Sequence, residues 1–455
     1  MTRSADVAAA DLRAAGAGRF LRLALPALAV LAAEPLYLLL DTAVVGRLGA
    51  DALAGLALGG VVLAQVSTQL TFLSYGTTAR SARMHGAGRT GAAVGEGIQA
   101  TWLAVILGVV IAGAVQVFAR PLLSVLGGGG PIAAEAVSWL RIASLGAPLI
   151  LIGLAGNGWM RGVQNTVRPL RCVLAGIAVS AALCPVLVHG LLGAPRLGLP
   201  GSALANVLGQ AVAAALFVAA LVGEPRGGVS WRPSWAVMRA QMVLGRDLIL
   251  RSLAFQVCFL SAAAVAARFG AAALAAHQVV LQLWNFLALA LDSLAIAAQT
   301  LVGAALGAGR VGEAKVTAVR VTRWSLGCAV AAAAFFAAGW WFLPPVFTPD
   351  AAVVAQMGRI WPLFVAMIPV AGVVFALDGV LLGAGDARFL RTATLAAALV
   401  GFLPLIWTAS AMDWGLRGIW SGLAVFMVLR MAAVLVRVRS GRWAVPGVEM
   451  GRASG

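Results

Sequence analysis

Arg47-Leu-Gly-Ala-Asp-Ala-Leu-Ala54 returns later in the chain as Arg268-Phe-Gly-Ala-Ala-Ala-Leu-Ala275. The same ungapped offset carries Gly86-Ala-Gly-Arg89 onto Gly307-Ala-Gly-Arg310, Pro148 onto Pro369, and Gly162 onto Gly383. Separated matches at one offset are hard to obtain from apolar composition alone, so the chain reads as two similar halves. Each half is strongly apolar. Of the 455 residues, 62% are hydrophobic and 11% charged, whereas a soluble domain carries about 25% charged residues.

A spanning helix needs roughly 20 apolar residues, which leaves room for about a dozen spans joined by short loops. Apolar runs lie near 20–46, 54–78, 93–118, 137–160, 171–191, 201–222, 247–267, 272–301, 316–342, 357–382, 390–410 and 415–436, with Pro and Gly punctuating the gaps. The run from Leu21 reaches Val45, too long for the apolar core of a signal peptide, and is read as the first span. The expected fold is an all-α polytopic membrane protein of about twelve transmembrane helices in two pseudo-symmetric six-helix bundles. The expected domains are an amino-terminal lobe over 1–222, a cytoplasmic linker over 223–246 and a carboxyl-terminal lobe over 247–455. Because each half holds an even number of spans, both enter the membrane in the same orientation. Carriers built this way place substrate between or within the halves and work by rocking one bundle against the other.

The formal net charge is +17, but the cations sit at span ends rather than in a basic stripe with interleaved aromatics, which argues against nucleic acid. Most fall on one side. They occupy the amino terminus (Arg3, Arg13, Arg19, Arg22), the loops after the second, fourth, eighth and tenth spans, the linker (Arg226 among them) and the tail from Arg430 to Arg452. The other side holds Arg47, Arg120, Arg196, Arg268 and Arg417, while Arg251 lies near a span end. That bias places both termini in the cytoplasm. The Arg- and Ala/Gly-rich composition suits a bacterial protein of the inner membrane. Cys172, Cys184, Cys258 and Cys328 fall in apolar runs without CxxC spacing and read as small buried hydrophobes.

Several stretches resemble the multidrug and toxic compound extrusion (MATE) family. Leu25-Pro26 followed by Glu34-Pro35-Leu-Tyr37-Leu-Leu-Leu-Asp41-Thr-Ala-Val-Val-Gly46-Arg-Leu-Gly49 is similar to the first helix of that family, closest to its DinF-like branch. Gly86-Ala-Gly-Arg, Met160-Arg-Gly-Val-Gln-Asn, Asp292-Ser-Leu-Ala-Ile-Ala-Ala-Gln and Leu377-Asp-Gly-Val-Leu-Leu-Gly-Ala-Gly-Asp386 follow in family order across nearly the whole chain. The resemblance implies cation-coupled efflux of organic, often cationic or amphipathic, compounds, with Asp41 central to coupling. Some prokaryotic members carry Asn-x-x-x-Asp-Pro on the fifth helix; here that stretch reads Ser180-Ala-Ala-Leu-Cys184-Pro185. The missing acid and amide favour a proton over sodium as the coupling ion, and no cofactor is expected.

A carboxylate deep in a span is costly and therefore a functional candidate. Glu34, Asp41, Asp292 and Asp378 qualify. Glu34 and Asp41 lie two helical turns apart, nearly on one face, and Tyr37, one turn from Asp41, is placed to donate to it. Asn157 matches Asp378 through the repeat and is a candidate partner on the Asp41 side, while Gln282 and Asn285 stand near the carboxyl-half acids. Gln65, Ser67, Thr68, Gln69, Thr71, Ser74, Tyr75, Thr77 and Thr78 make the second span unusually polar, either as a cavity-lining face or as glue between helices. His277 reads as a helix contact, and Trp340 and Trp341 as interfacial anchors. One proton moving down about 100 mV supplies about 2.3 kcal/mol, or roughly 50-fold accumulation.

An embedded enzyme would need a motif such as HExxH, GxSxG or SxxK, and none is present. A channel would need a pore loop. A flippase for lipid-linked sugars would need an Arg-rich cavity for pyrophosphate, whereas the charges assigned to mid-span positions are chiefly acidic. The expected activity is alternating-access antiport of small organic compounds by a monomer in contact with membrane lipid.

Overall fold

In lipid no water is at hand for an open backbone, so long apolar runs close their hydrogen bonds internally as helices. The computed structural model describes residues 2–127, 130–225 and 227–448. Arg226 and Arg452 lie outside the described residues, as do the side chains of Arg3 and Arg13. Eleven helices are long and apolar enough to span a membrane, and a twelfth span forms if Pro131–Ser144 and Ala147–Gly162, bent by 47°, count as one. Each apolar run of the sequence corresponds to one of these spans.

In chain order the helices are α1 (Thr2–Val45), α2 (Ala50–Leu70), α3 (Phe72–Gly86), α4 (Thr90–Gly127), α5 (Pro131–Ser144), α6 (Ala147–Gly162), α7 (Val167–His189) and α8 (Leu199–Val222). There follow α9 (Trp235–Arg268), α10 (Ala271–Gly307), α11 (Val311–Ala338), α12 (Leu343–Phe347), α13 (Ala351–Gly383), α14 (Ala387–Ala396), a π-helical turn (Ala397–Phe402), α15 (Leu403–Ala411) and α16 (Gly415–Arg439). The repeat seen in the sequence recurs in the helix ends. The offset that relates Arg47 to Arg268 carries Ala50–Gly86 onto Ala271–Gly307, and the starts of α4 and α11 also coincide. Gly49 and Gly270 open these equivalent helices at φ of 122° and 96°, where a side chain would be strained.

Contacts divide the chain into two compact units. One is Leu25–Gly245; the other joins the segment ending at Ala24 to the chain from Arg246 onward. In the first, α7 packs most closely on α8, α6 on α3 and α4, and α2 on α5. Trp139, Leu56, Leu140 and Leu199 form a core there. In the second, α13 runs through the centre, against α10, α11 and α16. Its Phe364 meets Trp420 of α16 edge-on, with Trp361 tilted against Phe364.

The repeated glycines mark helix crossings. A Cβ at Gly158 would lie 2.4 Å from the Ser74 carbonyl oxygen, and one at Gly379 would lie 2.2 Å from that of Ala295. These are repeat-equivalent contacts, of α6 on α3 and of α13 on α10. Small residues of this kind let membrane helices approach where no hydrophobic force draws them together. Thr78 Oγ1 adds an interhelical contact, its one proton shared between the Ser74 carbonyl at 2.8 Å and the Gly158 carbonyl at 3.0 Å. Thr78→Val should lower stability by about 0.6 kcal/mol, the average for such bonds in membrane bundles, as read from a denaturant midpoint in mixed micelles.

The sequence left the polar second span open between a cavity-lining face and glue between helices. That span breaks at Thr71; below the break Ser74, Thr77 and Thr78 are buried, and Thr78 is bonded to α6. The seventh span begins well inside the segment read as linker, because α9 starts at Trp235. Residues ahead of it are strapped to α4: Gln99 Nε2 donates to the Arg232 carbonyl, and its Oε1 accepts from the Ser234 backbone at 2.7 Å. Trp102 Nε1 donates to the Trp231 carbonyl, and Gln241 Nε2 to Glu96, whose carboxylate also holds Arg80 in a fork.

Candidate functional site

In the unit Leu25–Gly245, α7 and α8 close over the last turn of α1, leaving Asp41 only 2% exposed. Its Oδ1 accepts from Ser202 Oγ at 2.6 Å and from Cys184 Sγ at 3.3 Å. Ser202 stands in the first turn of α8, where Trp139 Nε1 reaches its hydroxyl at 3.4 Å. Ser180, one turn from Cys184 on α7, donates to the Ala205 carbonyl of α8. The shell bonded to the carboxylate is thus neutral. A serine hydroxyl donates to a carboxylate and can accept from a carboxylic acid, so the same shell serves Asp41 with or without its proton.

The stretch Ser180–Pro185, singled out for its departure from the family pattern, therefore does meet Asp41. Cys184 is a polar partner rather than buried filler, and Cys328 is exposed. Tyr37 is buried beside Ser180 and Asn206, and no hydrogen bond joins its hydroxyl to Asp41. Glu34 shares the phase of Asp41 yet is exposed, two turns before the part of α1 that Cys184 and Ser202 hold. Asn157 is buried on α6 with its Oδ1 unpartnered and is not among the groups bonded to Asp41. Gln65 is exposed and Gln69 half-buried, with its Oε1 unpartnered.

In the other unit, Asp378 on α13 is gripped from two sides. Arg251 Nη2 of α9 and Arg430 Nη2 of α16 each reach its Oδ2 at 2.5 Å. Arg430 lies over the Phe255 ring at 4.7 Å and over Phe426 at 5.7 Å. A cavity of about 230 Å³ opens beside the three charges, lined also by Phe255, Phe259, Trp284, Asn285 and Met367. This corrects the sequence reading, which put Arg251 at a span end, assigned Arg430 to the tail, and held the mid-span charges chiefly acidic. Both arginines lie within apolar helices, and Arg430 is buried. Asn285 lines the cavity, whereas Asp292 is half-buried outside it and Gln282 is exposed. His277 is fully buried with neither ring nitrogen partnered, edge-on to Trp420. Trp341 is exposed at a span end, as an interfacial anchor is.

The two polar sites do not map onto each other. Through the repeat, Asp41 falls on Ala262, Arg251 on Val30 and Arg430 on Gly209. Only Asn157 and Asp378 coincide, each one residue before a crossing glycine.

Comparison with known proteins adds the following. The MatE family model matches residues 26–186 and 248–407. Protein DETOXIFICATION 44, chloroplastic, of Arabidopsis thaliana is 32% identical over 446 residues, covering 92% of this chain and 82% of that protein. DNA damage-inducible protein F of Escherichia coli (strain K12) is 30% identical over 434 residues, covering 92% of each. A crystal structure of a MATE in the bent conformation superposes with a TM-score of 0.83 at 21% identity, over 95% of this chain and 96% of that one. At that identity the likeness concerns the fold.

Proposed function

The chain belongs to the MatE family, whose members are transporters and not enzymes, and from that premise we propose that it exports small organic compounds in exchange for protons, with Asp41 as the group that gains and loses the proton. One observation carries the reading: among the described residues, a carboxylate buried in a span is bonded to a hydroxyl and a thiol and to no charged group. A proton needs one acceptor and a shell that tolerates both charge states. Hard cations such as Ca²⁺ and Mg²⁺ take oxygen ligands, and sodium is held to the same preference, so a thiol at 3.3 Å from the carboxylate supports the proton. The cation bias between loops supports both termini in the cytoplasm of a bacterial inner membrane.

Inverted vesicles acidified inside, with sodium replaced throughout by N-methylglucamine, should still accumulate a fluorescent organic compound, such as ethidium or 1-naphthoate. Collapse of the pH gradient should stop accumulation of both. Accumulation that requires sodium and ignores the pH gradient would remove the proton from the scheme.

A further inference from the structure

We propose that the cavity at Arg251, Asp378 and Arg430 binds the anionic head of a small aromatic carboxylate or sulfonate, so that the cargo of the exporter proposed above includes aromatic monoanions. The charges do not balance within the site. Two guanidinium groups converge on one carboxylate, and both use the same oxygen, Oδ2. Asp378 Oδ1 and Arg251 Nε are buried without partners. A charge held in so apolar a setting requires compensation, and one further negative charge supplies it.

The donors suit that head group. A guanidinium presents five N–H donors in a planar fork that matches the two oxygens of a carboxylate. Arg251 retains unused donors at the cavity wall, with its side chain 16% exposed against 3% for Arg430. The remaining wall suits an aromatic body: Phe259, Trp284 and Met367 offer aromatic surface and a polarisable sulfur. The volume of about 230 Å³ exceeds the roughly 150 Å³ cavity that takes up benzene in an engineered core, leaving room for a bicyclic ring. A cationic ligand fits poorly, since Arg430 already occupies the Phe255 face and both guanidinium groups repel it. A lipid pyrophosphate brings more negative charge than the single unbalanced positive charge can neutralise.

The test is equilibrium binding to the full-length protein in nanodiscs, with three probes of one shape: 1-naphthoate, neutral 1-naphthalenemethanol and cationic 1-naphthylmethylammonium. Wild type should bind naphthoate at least tenfold more tightly than either analogue. Arg251→Gln should weaken naphthoate about tenfold, with Arg251→Lys between it and wild type. Asp378→Asn should tighten naphthoate about tenfold, because it frees both guanidinium groups. That opposite sign is one that a purely structural triad does not produce. Variants are compared only when monodisperse; should Asp378→Asn fail to fold, the arginine pair and the probe series still decide. Preference for the ammonium probe, or an unchanged affinity in Arg251→Gln, overturns the proposal. So does geranyl pyrophosphate binding more tightly than naphthoate, which would mark the site as one for lipid-linked anions. Binding is read without any gradient, so failure of proton coupling leaves this result untouched.

Discussion

Asp41→Asn is expected to abolish gradient-driven accumulation while leaving the fold in place. The amide has nearly the shape of the carboxyl group, and its oxygen still accepts from Ser202 and Cys184. What it loses is the ability to ionise. A carrier that cannot load a proton forfeits the roughly 50-fold concentration ratio that about 2.3 kcal/mol sustains, and vesicle uptake should fall to the level set by equilibration. Thermal unfolding of the purified variant should stay within about 1 kcal/mol of wild type, as one neutral hydrogen bond replaces another. Full pH-driven uptake by this variant would move the coupling role away from Asp41.

Gly209→Ala is expected to be the most damaging addition of a single methyl group near that site. A Cβ there would lie 1.9 Å from Ser180 Oγ and 2.4 Å from the Gly176 carbonyl oxygen. The hydroxyl can rotate, but the carbonyl belongs to the backbone of α7, so α7 and α8 must separate. Overpacking of this kind costs about 1–3 kcal/mol, and the backbone clash argues for the upper end. The functional loss should exceed the stability loss. Asp41 is held by Cys184 from α7 and Ser202 from α8, so spreading that pair removes one of its two donors. Gly60→Ala, where a Cβ meets nothing within 4 Å, is the matched control and should be neutral in both unfolding and transport. Equal effects at the two positions would mean that the α7–α8 crossing does not govern the site.

The architecture was legible because it is written twice. Gly158 and Gly379 belong to stretches the sequence already pairs, and each crossing glycine fixes where two helices meet. Asp41 was legible because an acid in an apolar run has few explanations. Its partners were not. Ser202 looks like any small residue serving as glue, and Cys184 like any buried thiol, until α7 and α8 bring both to one oxygen. The arginines were hidden differently. Arg430, nine residues before the carboxyl end of α16, was grouped by its closeness in sequence with the topology cations Arg437 and Arg439. Only its meeting with Asp378, far away along the chain, separates them. Tyr37 marks what spacing leaves open: it is buried one turn from Asp41, yet its hydroxyl is not bonded to the carboxylate.

The mismatch between duplicated halves bears on how such a chain can be rebuilt. A tandem of two amino-terminal halves would keep every glycine crossing and every helix end, and should insert and fold. It would also possess two acidic hollows and no guanidinium clamp, because Val30 and Gly209 stand where Arg251 and Arg430 are needed. Ancestry thus left the scaffold twofold but the chemistry single-copy. If Asp41 takes the proton and the clamp takes the cargo, as proposed, a recombinant shuffled at residue 245 between distant cousins would inherit its driving ion from one parent and its preferred passenger from the other.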